Sequence, residues 1–187
     1  MKKIFLYIIV LTISLLHVTC SSNDDNRRTF VLNINGVDYK YYVVASYRSD
    51  TPNDNNRYIE IYGETDESKT FSACMIGISY KVQGEGTYAI TDYRTLAWDI
   101  YQNTDNKYAY IHVNLGSDEG DVSIDKNIVR YGTTSESGTV DVEVGETESY
   151  NFYIGRTLEL IDTGDNEGTR PEGAPANIQL KLEKAYF

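Results

Sequence analysis

The stretch FVLNINGVDYKYYV, Phe30 to Val43, holds the strongest structural signal in the sequence. Asn35-Gly36 lies between two β-prone runs, and Asn-Gly meets the φ > 0 demand of a two-residue type I′ hairpin turn. Before the turn, Phe30, Leu32 and Ile34 share one parity, with Val31 and Asn33 on the other. Side chains alternate faces along a strand, so this pattern predicts a hairpin with one face towards a core.

The same two-residue period continues outward from that hairpin. Ile59 and Ile61 oppose Tyr58, Glu60 and Tyr62. Ala109, Ile111, Val113 and Leu115 alternate with Tyr108, Tyr110, His112 and Asn114. Val140, Val142 and Val144 alternate with Thr139, Asp141 and Glu143. Tyr150, Phe152, Ile154, Leu158 and Leu160 share a parity, as do Ile178, Leu180 and Leu182. Gly- and Asx-rich breaks such as SDTPNDNN, QGEG and TTSESG separate the runs.

We read about ten strands and no sustained helical period, which predicts an all-β domain. One apolar and one polar face per strand indicates antiparallel sheets with one wet side. The expected architecture is a β-sandwich, with an up-and-down or partly open β-barrel as the alternative. In LAWDIYQ, Leu96, Trp98 and Ile100 read as the core face of a strand, with Asp99 outside.

The N-terminus reads as a targeting segment. Met1-Lys2-Lys3 precedes an apolar run, Ile4 to Leu16, broken only by Thr12 and Ser14. That run suits a signal peptide and is too short to cross a bilayer, which takes about 20 residues. His17-Val18-Thr19 is a poor site for ordinary signal peptidase. With Cys20-Ser21-Ser22 it resembles the lipobox of bacterial lipoproteins, whose cysteine is acylated and becomes the new N-terminus. The match departs from the usual pattern: Leu16 is one place early, His17 fills the first position and Thr19 the last. Asn23-Asp24-Asp25 resembles the acidic surface-export signal of Bacteroidetes-type lipoproteins.

The opening INGVDY, the mid-chain GTYAI, the later SGTVDVEV and the aromatic C-terminus resemble small lipoproteins of that type, which have no assigned activity. The resemblance implies residues 1–19 as signal peptide, 20–28 as lipidated cysteine and polar tether, and 29–187 as a single all-β domain. It places the protein at the outer membrane, facing the cell surface and held there by lipid on Cys20. Two acyl chains are needed for a stable hold of this kind.

Charge excludes some partners. The chain has 17 basic and 28 acidic residues, a net charge of −11. Removing residues 1–19 takes away Lys2 and Lys3 and no acid, so the mature form is more acidic still. Such a surface is a poor match for nucleic acid. With Cys20 acylated, Cys74 has no disulfide partner. Its apolar surroundings, FSACMIGISY, mark it as a small buried hydrophobe.

Catalytic signatures are lacking. His112 is the one histidine after the signal peptide, and there is no G-x-S-x-G and no H-E-x-x-H. On its strand it reads as an exposed residue beside Tyr110. No catalytic residue is assigned and no cofactor is expected, calcium excepted. DTGDNEG offers Asp162, Asp165 and Glu167 as calcium ligands, and GSDEGD offers Asp118, Glu119 and Asp121. Neither has the EF-hand spacing, and solvated acidic turns are the simpler reading.

Tyrosine stands out, with 17 against five phenylalanines. Tyr58, Tyr62, Tyr108, Tyr110 and His112 fall on polar-looking strand faces. Facing outward together, they would form an aromatic platform for a glycan or a protein. The same faces could instead lie beneath a second packed layer. The sequence therefore predicts a non-catalytic surface module. The alternatives are a hydrolase of surface polymers using a carboxylate pair, and a structural or immunity-type envelope protein.

Overall fold

The computed structural model of the chain describes residues 28–50, 56–117, 122–123, 126–145, 150–165, 168–182 and 184–185. Cys20, Asn23, Asp24 and Asp25 lie outside the described residues, as do Asp118, Glu119, Asp121 and Glu167. The described residues form twelve strands and one helix. In chain order these are β1 (Thr29–Ile34), β2 (Val37–Asp50), β3 (Asn56–Glu64), β4 (Ala73–Lys81), β5 (Gly86–Ile90), α1 (Tyr93–Gln102), β6 (Tyr108–Gly116), β7 (Val129–Gly132), β8 (Gly138–Val144), β9 (Tyr150–Tyr153), β10 (Leu158–Asp162), β11 (Asn177–Lys181) and β12 (Lys184–Ala185).

The opening hairpin forms as its sequence predicts. Asn35 and Gly36 both have positive φ, 54° and 81°, and Ile34 pairs with Val37. β2 is long enough to pair β1 at one end and β3 over the other, with a register shift between Val43 and Ala45. Such a bulge bends a strand, and here it lets one strand turn along the wall.

The fold is a closed barrel, which corrects the expected sandwich in favour of the barrel alternative. Strands β6-β4-β3-β2-β1-β11-β10-β7 follow one another, and β7 pairs back to β6, closing a ring of eight. The physical reason lies in β6. One edge pairs β4 along its length; the other pairs β7 through His112–Leu115 and β5 through Tyr108–Ala109. The ring therefore forks at β6. The branch β5-β8-β9-β12 begins with the parallel β5–β6 pair, and every other strand pairing is antiparallel.

The predicted apolar parities face inward. Leu32, Ile59, Ile76, Ile111, Val113, Leu160 and Leu180 are all within one buried cluster, together with Tyr88, Val140, Val142 and Phe152 of the branch. The branch thus packs its apolar face on the barrel's own core. Burying a side chain of this kind stabilises by about 1.5–3 kcal/mol.

The segment read as a strand around Trp98 is a helix. Three alternating apolar residues fit a strand, but Asp92 caps a helix start: its carboxylate accepts from the Thr95 amide at 2.9 Å and the Thr95 hydroxyl at 2.8 Å. Asn103, at φ 51°, ends the helix in the left-handed conformation. Leu96 and Asp99 then face inward, while Trp98 is 64% exposed. Asp99 is not outside, as the strand reading had it. Its carboxylate lies 3.6 Å from the Lys81 ammonium at the end of β4, with both side chains nearly fully buried. Lys81 also donates to the Thr104 carbonyl, and Asp99 accepts from the Thr104 hydroxyl and from Asn106. This network pins α1 to the barrel. No helix among the described residues is long and apolar enough to cross a membrane.

Candidate functional site: a pocket on the outer barrel wall

β4 and β6 are buried on both faces almost throughout. Their outward residues are covered by α1, by the segment around Val122 and Ile128, and by the loop after β10. Between α1 and that loop the cover is incomplete, leaving a cavity of about 740 Å³.

Strand register builds its floor. One row across the wall is Tyr58–Ser79–Tyr110, and the next is Gly77–His112–Gly132. Large and small residues therefore alternate from strand to strand, while β4 carries the small ones and β6 the large ones. The His112 ring is stacked between two tyrosines: its centroid is 5.9 Å from Tyr58 and 5.4 Å from Tyr110, with interplanar angles of 11° and 20°. Its Nε2 also lies 3.2 Å from the Tyr58 hydroxyl. The two glycines make the space. A Cβ on Gly77 would come 2.6 Å from His112 Nε2, and one on Gly132 would come 2.6 Å from the Tyr110 hydroxyl.

The rim comes from α1 and the loops. Tyr93, the first residue of α1, meets Tyr110 edge-on at 5.7 Å. Arg94 lines the cavity; its side chain is exposed and no described residue pairs with it. Arg130 lines the opposite side and is aimed by the fully buried Asn114, whose Oδ1 accepts from Arg130 Nε at 2.9 Å. Asp92, Asp162 and Asp165 supply carboxylates.

Two titrating groups have fixed states here. Burial pushes the Tyr110 hydroxyl up to about 12, against the opposing pull of Arg130, so it remains a neutral donor at physiological pH. Burial acts to raise the Asp92 carboxyl, yet hydrogen bonds from the Thr95 amide and hydroxyl and the Arg94 amide outweigh it. They hold Asp92 ionised below the usual carboxylate range.

Of the predicted platform, Tyr58, Tyr110 and His112 come together at this cavity. Tyr62 does not: it packs with Ala73, Met75, Val122 and Ile128 in a second small cluster, and its hydroxyl donates to Glu60. Tyr108 is half-buried and does not line the cavity. His112 is only 7% exposed, which corrects its reading as a surface residue; the glycines on both neighbouring strands let its ring lie down on the wall. Cys74 is buried in the core, and burial pushes its thiol well up.

The calcium candidates are differently engaged. Asp162 is paired with the Arg170 guanidinium and accepts from the Gly164 amide, while Asp165 faces the cavity. Among the described residues no three His, Cys, Asp or Glu side chains cluster as metal ligands do.

Gly77, Ser79, Gly132, Arg130 and the whole α1 contribution do not stand out as site residues in the sequence. A signal for the floor existed: Gly77 and Ser79 occupy outward positions of β4 where the neighbouring strands carry tyrosine and histidine. Compared with known protein families, with curated proteins and with solved structures, this chain matches none.

Proposed function

We propose that this protein is a lipid-anchored, non-catalytic binding module of the cell surface, and that the outer-wall pocket takes an acidic sugar residue of a glycan. The observation that carries the reading is the Tyr58–His112–Tyr110 stack with Tyr93 at its rim, set beside two guanidinium groups. Flat rings suit the C–H faces of a sugar, and a guanidinium suits a carboxylate in a bidentate arrangement.

The guanidinium groups of the pocket favour an acidic ligand. Asp92 is engaged in capping α1 and Asp162 is paired with Arg170. Arg94 and Arg130 bring two guanidinium groups to the pocket wall of a chain whose net charge is −11. The hydrolase alternative has less support. A glycosidase needs one carboxyl raised to act as proton donor, and Asp92 is held the other way.

Calorimetric titration with uronic-acid oligosaccharides and their neutral counterparts tests the ligand class. Wild type should prefer the acidic series. Arg94→Ala should weaken that binding about tenfold to a hundredfold, the worth of a hydrogen bond to a charged group. Its melting temperature should not move, since the side chain touches nothing described. Equal affinity for neutral and acidic sugars would sink the acidic-ligand reading.

The anchor is tested separately. Cys20→Ala should abolish palmitate labelling and release the protein from membrane fractions. Unchanged fractionation would overturn the lipid tether and leave the pocket untouched.

A further inference from the structure

The exposed side of α1 is aromatic, and Tyr93–Tyr110 is its one ring contact with the barrel among the described residues. Tyr93, Trp98 and Tyr101 are 62%, 64% and 78% exposed. Trp98 and Tyr101 lean on each other at 5.7 Å and 35°. At 100° per residue, Tyr93, Ala97, Tyr101, Arg94 and Trp98 fall within one sector of the helix, opposite the buried Leu96 and Asp99. Tyr93 to Tyr101 spans about 12 Å of helix axis. The first ring of this row is also the rim of the pocket, touching Tyr110. The pocket and the ridge are therefore one continuous surface.

We infer that the ligand is a linear polysaccharide, with the residue held in the pocket followed by sugar units that stack along α1 over Trp98 and Tyr101. This rests on the glycan reading of the pocket and extends it from a single sugar to a chain. The composition of the ridge favours sugar over the other possible occupants. A protein hot spot sits at the centre of a packed, desolvated patch. Here the rings stand on a convex helix beside Ala97, Thr95 and Gln102, with no exposed Leu, Ile, Val or Met in the sector. A bilayer-binding helix carries several basic residues on its polar face. This one has Arg94 alone, and the chain as a whole is acidic. Rings with hydroxyl and amide neighbours fit a chain of alternating C–H faces and hydroxyls.

The test is affinity against chain length, with oligogalacturonates and alginate oligomers from one to six units as probes. Wild type should bind the hexamer more tightly than the monomer. The double variant Trp98→Ala/Tyr101→Ala should lose about tenfold on the hexamer and nothing on the monomer, with an unchanged melting temperature. Hexamer binding unaffected by the double variant, or no gain with length in wild type, overturns the track and leaves the pocket reading standing. Failure of wild type to bind any probe overturns both. If instead the double variant removes binding of the Cys20→Ala chain to phosphatidylglycerol vesicles, the ridge is a membrane contact and the inference fails.

Discussion

Lys81→Met is expected to lower the thermal midpoint by about 6–20 °C, from a loss of about 3–5 kcal/mol at about 2–4 °C per kcal/mol for a domain of this size. Lys81 is fully buried and Asp99 is 3% exposed. Removing the ammonium leaves an ionised carboxylate in the interior, a cost far above that of losing an exposed ion pair. Thr104 and Asn106 still donate to Asp99, which moderates the loss without supplying a charge. The double variant Lys81→Met/Asp99→Asn should recover most of the stability, because the uncompensated charge is gone while the amide can still accept from Thr104. Differential scanning calorimetry of the two variants separates these terms. A single variant melting within 2 °C of wild type would mean that water reaches the carboxylate once the ammonium is gone. The effect should also reach function, since α1 carries Tyr93 and Arg94 and is pinned to β4 through this pair.

Gly77→Val should cost about 3 kcal/mol, the upper end of the overpacking range, and should close the pocket. The position has an ordinary strand conformation, so the penalty is steric and not one of backbone strain. The first added carbon already lies 2.6 Å from His112 Nε2 and 2.7 Å from the Tyr58 hydroxyl. Both rings would have to leave the stack on which the cavity floor is built. Gly155→Ala is the matched control: a Cβ there meets nothing within 4 Å, and its melting temperature should stay near wild type. Loss of ligand binding by Gly77→Val with an unmoved midpoint would show that the stack flexes without cost. Retention of full binding would show that the rings are not the floor.

The inward residues of the barrel were legible because a strand places every second side chain on one face, and that period survives whatever the strand pairs with. Ile59, Ile111, Val113, Leu160 and Leu180 were predicted on the buried side and lie there. The first turn was legible because Asn35-Gly36 has few alternatives to positive φ at both positions. The helix was not. Leu96, Trp98 and Ile100 satisfy a two-residue period over three points, whereas α1 turns only Leu96 and Asp99 fully inward. Asp92 followed three residues later by Thr95 was the local signal that outweighed the alternation.

Most of the strands, their inward faces, the first hairpin and the tyrosine-rich polar faces are legible along the chain, because each depends on neighbours within a few residues. Closure of the sheet is not, since it rests on β7 pairing both β6 and β10, partners far from it along the chain. Nor is it legible that Tyr58, Tyr110 and His112 meet while Tyr62 and Tyr108 stay apart from them. The same holds for Gly77 and Gly132: what a missing side chain makes room for depends on which ring lies across the neighbouring strand, and register alone supplies that neighbour.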